Sequence, residues 1–127
     1  MLLETVHTLE PKDAPSLAPD DRPIDLVHLA RTTLGDRALE REVLQLFDRQ
    51  SGMLIARMRT AAPAAVAALA HTLKGSARGI GAWRVARAAE LLELAGASGH
   101  PTAEALDCLA AASDEARTVI AELLRAN

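Results

Sequence analysis

The sequence predicts an all-α fold, an antiparallel up-down four-helix bundle with a short N-terminal lid helix. Three observations lead there. Half of the 127 residues are apolar, chiefly Ala and Leu, which lose little on entering a helix. Aromatics make up 2% and β-formers are scarce, so little favours a sheet. Apolar residues recur at three-four spacing in long segments divided by short Pro- or Gly-bearing breaks. The length suits one compact domain with its own core.

Residues 1–22 hold three prolines and no clear period, and are expected to form a flexible tail. The bundle domain is expected over 23–127. Asp25 caps a short first helix within IDLVHLARTTL, which Gly35 ends. A long helix follows from about Asp36 to Thr60. Its apolar positions, Leu39, Val43, Leu46, Phe47, Met53, Leu54 and Met58, suit one buried stripe, and Gly52 interrupts it at some cost. Pro63 opens the third helix, where its missing N–H matters least. That helix runs to about Ile80, with Gly79 and Gly81 marking its end. The fourth covers about Ala82 to Ala95 and is broken by GASGHP. The fifth runs from about Thr102 to Arg125 on a stripe of Leu106, Leu109, Ser113, Ala116, Ile120 and Leu123. Short loops make consecutive helices antiparallel neighbours.

Net charge is −3 but unevenly placed. Between Asp48 and Glu90 lie seven Arg or Lys residues and no acid. This basic zone lacks interleaved aromatics, and the overall charge is negative, which argues against nucleic acid. The longest segment without Asp, Glu, Lys or Arg in this region, residues 60–73, is too short to span a bilayer. MLLETVHTLEP has neither the basic start nor the apolar core of a signal peptide. Cys108 is the single cysteine, expected to pack partly buried; it points to a reducing, cytoplasmic setting. No phosphate-binding Gly loop, nucleophile elbow or metal-ligand spacing is present, so neither an autonomous enzyme nor a cofactor or metal site is expected.

The centre of the basic zone reads AHTLKGSARGIGAWRVARAAELLE. At about 100° per residue, Val66, Leu69, Leu73 and Ile80 share a narrow arc of the third helix. His71 lies roughly 170° from its middle, with Lys74, Gly75 and Arg78 on the same side. An imidazole thus faces outward beside a cation and a residue with no side chain. Glycine in mid-helix costs roughly 1 kcal/mol against alanine, and gives a large partner room to approach. His7, His28 and His100 fall in the tail, the lid helix and a loop, and are expected to be unremarkable surface or boundary residues.

The run HTLKGSARGIGA, with the amphipathic segment ending in LLE after it, resembles the histidine phosphotransfer (HPt) domains of multistep phosphorelays. The motif covers residues 71–93 and the helix plan about 25–125. The resemblance implies a four-helix bundle with His71 as phospho-acceptor, Lys74 as the phosphoryl-neutralising residue and Gly75 as the clearance residue. It implies a Gln or Glu on the next helix that orients the ring. Glu93 matches that position, and Glu90 is a second candidate one turn earlier. Partners would be a response-regulator receiver domain and a hybrid histidine kinase, with the Mg²⁺ held by the receiver. The protein itself would be a monomeric phosphoryl carrier. Arg78 stands where the family commonly has a small residue. Arg78, with Arg84 and Arg87 on the fourth helix, is expected to meet the acidic partner. The competing reading is an interaction protein that binds and inhibits a receiver or kinase without carrying phosphate; the intact His-Lys-Gly cluster argues against it.

Overall fold

The computed structural model describes residues 22–126, and all its regular elements are helices. The expected tail, Arg22 excepted, and His7 within it lie outside the described residues. The helices are α1 (Leu26–Thr32), α2 (Arg37–Met58), α3 (Pro63–Ile80), α4 (Trp83–Ala97) and α5 (Ala103–Ala126). Helices α2 to α5 pack in a closed ring, each against its neighbours in sequence and α5 against α2. The short α1 lies against α3.

The ends follow local chemistry. Asp25 accepts the His28 N–H at 3.1 Å, and Asp36 the Leu39 N–H at 3.1 Å. Each satisfies an amide that has no partner within its helix. Pro63 occupies the first turn of α3. Gly81 turns the chain from α3 into α4 at φ 82°, a left-handed conformation open to glycine. A Cβ there would also stand 2.9 Å from the Asp25 carbonyl oxygen. That closeness lets the Asp25 N–H donate to the Gly81 carbonyl at 2.9 Å, which ties the lid to the α3–α4 corner. At the far end, Arg41 of α2 donates from Nη1 to the Leu124 carbonyl in the last turn of α5, at 2.9 Å.

The core is aliphatic. Ala70, Leu73, Ala77, Ala89, Leu92, Leu109, Ala116 and Ile120 are fully buried, and the many alanines let the helices approach closely. The α5 stripe is as the sequence predicts, with Leu123 only partly buried. Two expectations need correction. The buried stripe of α2 is Leu44, Phe47, Ser51, Leu54 and Met58. Leu39, Leu46 and Met53, read as core, are exposed by 39%, 56% and 57%. These three recur every seven residues, so α2 carries a second apolar line about 120° from its core line. The sequence pattern merges the two. Cys108 is exposed rather than partly buried, because the α5 stripe passes through Leu106 and Leu109 on either side of it.

Glycine at position 52 also has a packing reason. A Cβ there would lie 2.8 Å from Nη1 of Arg117, whose Nε donates to Asp48 Oδ1 at 2.8 Å. The guanidinium of α5 lies across the bare turn of α2.

Candidate functional site

Burial of Val66, Ala70, Leu73, Ala77 and Ile80 fixes the rotation of α3. His71, Gly75, Arg78 and Gly79 therefore face outward. The His71 side chain is 67% exposed. On α4, burial of Val85, Ala86, Ala89, Leu92 and Gly96 brings Glu93 to the edge of the α3–α4 seam.

There the two helices meet in a three-residue cluster. Glu93 Oε2 lies 2.9 Å from His71 Nδ1. Its other oxygen, Oε1, is 2.7 Å from the Lys74 ammonium. Oε1 is closed to solvent, with the Lys74 ammonium as its ion-pair partner. The Lys74 side chain is only 14% exposed, so its stem packs into the seam. The Lys74 ammonium foremost, and the His71 hydrogen bond after it, hold the Glu93 carboxyl below its ordinary range, against the opposing effect of burial. An ionised carboxylate only accepts, so Nδ1 of His71 carries the proton. The lone pair at Nε2 is then the nucleophilic position of the ring.

Gly75 sits one turn beyond His71. A Cβ at Gly75 would meet nothing within 4 Å. The packing of this chain therefore does not require glycine there, and the gap beside the imidazole opens to the outside.

The expected partner-binding arginines separate. Arg78 lies two turns along α3 from His71, with Nη2 3.9 Å from Glu90 Oε1 and both side chains half exposed. Arg87 is exposed on α4. Arg84 does not join the group. It donates to both oxygens of Glu115 on α5, at 2.8 and 2.9 Å, and nine residues from Glu93 puts it about 180° round the helix. Glu90, the alternative ring-holding acid, pairs with Arg78 instead.

Sequence reasoning missed one polar cluster. Asp25 Oδ2 accepts the Trp83 indole N–H at 2.9 Å. His28 donates from Nε2 to the Arg78 carbonyl at 2.9 Å, and its ring meets Trp83 edge-on at 4.8 Å. His28 is thus a clamp between α1 and the end of α3 rather than an unremarkable boundary residue. Its partners lie 50 or more residues away, where no local spacing could reveal them. The pairing of an acidic helix cap with the chain's single Trp was the faint signal available.

No helix among the described residues is long and apolar enough to cross a membrane. No curated protein and no solved structure gives a significant match to the chain. The profile of the Hpt domain family matches residues 42–125, which include the ring of helices α2 to α5 from the first turns of α2 onward and the whole of the His71 cluster. With a helical bundle, an outward histidine and a family match over well over half its length, the chain belongs to the Hpt domain family, whose members carry phosphoryl groups in phosphorelays and interact with receiver domains and histidine kinases.

Proposed function

We propose that His71 accepts a phosphoryl group at Nε2 from a phosphorylated receiver domain of a hybrid kinase and passes it to the receiver of a response regulator. The observation that carries this is the exposed ring of His71, with Nδ1 held by Glu93 at 2.9 Å. Fixing the tautomer leaves the Nε2 lone pair aimed away from the bundle. In the transfer, Nε2 attacks phosphorus as the bond from phosphorus to the receiver's aspartate oxygen breaks, and that aspartate leaves as carboxylate. Delivery is the reverse at a second aspartate. Such a reaction needs mainly positioning and charge stabilisation. The bundle supplies the first and Lys74 part of the second, while the receiver brings the Mg²⁺ and the aspartate. Gly75 gives the receiver clearance, and Glu93 orients the ring.

The docking surface proposed here differs in part from the arginine rim read in the sequence. Arg78 remains at the edge of the site, Arg87 is kept only as an exposed cation farther round α4, and Arg84 is left out because it faces α5. On the other flank, Arg57 of α2, Thr60 and Ala61 of the α2–α3 connection and Ala65, Ala68 and Leu69 of α3 line a shallow groove. Ala68 is one turn before His71, and exposed Met53 one turn before Arg57. This flank offers apolar area beside the nucleophile, in the stretch without acids, which suits an acidic receiver. The single cysteine and the relay partners suit a cytoplasmic setting.

Incubation of the chain with phosphorus-labelled receivers and kinases tests the reading. Acid-labile, base-stable label on His71 is the expected result. Tight receiver binding with no label at His71 would replace this reading with that of a phosphate-free inhibitor.

A further inference from the structure

Glu93 has two oxygens and uses each differently. One takes the ring proton of His71; the other pairs with Lys74. The ammonium that would neutralise a phosphoryl group is therefore engaged before that group arrives. The Lys74 side chain is 14% exposed and that of Glu93 25%, so the pair is well shielded from water and its attraction is only partly screened.

We propose that Glu93 holds Lys74 in reserve and thereby lowers the affinity of His71 for the phosphoryl group, poising the loaded protein to deliver. This rests on the reading of His71 as the phosphoryl carrier. Unloaded, the carboxylate and ammonium sum to zero charge. Loading adds between one and two negative charges, roughly, within reach of the same cation. Lys74 is three residues from His71, and side chains at that spacing are neighbours on a helix. One ammonium then has two anionic claimants on either side. Drawing it to the phosphoryl group weakens its hold on Glu93, whose charge also repels the newcomer. A neutral amide at position 93 would still accept the Nδ1 proton but would make no such claim on Lys74. The carboxylate thus does two opposed things: it presents the nucleophile and it loosens the product.

The experiment is a double-mutant cycle read at equilibrium. Chain and a purified receiver that exchanges label with it are mixed, and the ratio of label on His71 to label on the receiver is measured. Glu93→Gln is expected to shift this ratio toward His71 about three- to fivefold, the size of a part-exposed ion pair. Lys74→Met is expected to shift it toward the receiver, and by about threefold more in the Glu93→Gln background than in the wild type. Additive effects, or a shift of Glu93→Gln toward the receiver, would overturn the proposal. Label passed from the receiver to His71 of the wild type, and absent from His71→Gln, provides the separate control: it upholds the carrier reading whatever the cycle gives. Circular dichroism melts confirm that the variants are folded. A cycle that is purely structural in origin would move those melts and leave the equilibrium ratio unchanged.

Discussion

Two carboxylates in this protein each bond a histidine, one through its backbone and one through its ring, and the two rings end in opposite states. At the lid, His28 donates its Nε2 proton to the Arg78 carbonyl while Asp25 holds its backbone and the Trp83 indole. At the α3–α4 seam, His71 donates its Nδ1 proton to Glu93. The first ring has Nε2 engaged, an edge against Trp83 and a structural job. The second has Nε2 directed to solvent. A histidine near an acid therefore says little by itself; which nitrogen the fold occupies, and whether the other can be reached, separates a clamp from a nucleophile.

The largest expected effect breaks the comparison outright. His71→Gln should abolish phosphoryl uptake and keep the fold, while His28→Gln should keep uptake and lower stability. Label on the His71→Gln protein would show that the two rings had been assigned the wrong roles. Nitrogen chemical shifts of the two rings sharpen the point, with His28 expected as the Nε2–H tautomer and His71 as Nδ1–H.

Next comes Gly75. Gly75→Gln should slow transfer by on the order of ten- to a hundredfold, since a bulky side chain misplaces the approaching receiver. Gly75→Ala should raise stability by up to about 1 kcal/mol, because the added methyl meets nothing in this chain. Normal transfer by the Gln variant would remove clearance from the account.

Asp25→Ala should destabilise by about 2 kcal/mol, from one lost helix cap and one lost indole hydrogen bond. Phosphoryl uptake by the folded fraction should be untouched. Urea midpoints and a transfer assay on the same sample check both halves. The Trp83 hydrogen bond foremost, and the His28 backbone N–H after it, hold the Asp25 carboxyl below its ordinary 3.8. A carboxyl depressed by folding adds stability that is fully present above its unfolded value and is lost as pH falls through its folded value. The wild-type urea midpoint should therefore decline as pH drops below about 3.8, and Asp25→Asn should flatten that limb. An unchanged limb would show that the lid cluster contributes no pH-dependent stability.

The smallest effect belongs to Arg78. Its pairing with Glu90 at 3.9 Å is loose, so Arg78→Ala should weaken receiver binding only severalfold or less, with the loss shrinking at high salt. A loss that persists at high salt would make Arg78 part of the transfer site instead of its rim.

The helices, their caps and the outward face of α3 were legible in the sequence because each rests on local signals: three-four periodicity, an Asp before a helix, Pro at its start, Gly at its end. What was not legible depended on rotation or on distant partners. The apolar residues of α2 form two lines, and only the packing of α3 and α5 shows that Leu44 is inside and Leu46 outside. Arg84 was grouped with the site because it is near in sequence, yet helical rotation turns it to Glu115. Lys74 was placed beside His71 by its spacing alone, but its engagement by Glu93 needed the α3–α4 seam to be in view. His28 was overlooked for the same reason.

The tie from Arg41 to the Leu124 carbonyl bears on how the protein breathes. The end of a helix ordinarily frays because its last carbonyls have no partner. Here the α5 terminus is strapped to α2, across 83 residues of chain. Unzipping it must therefore first break that strap. Amide hydrogen exchange in the last turn of α5 should then be slower than fraying of an untied helix end allows, and Arg41→Ala should speed it, so that a substitution in one helix is read at the end of another.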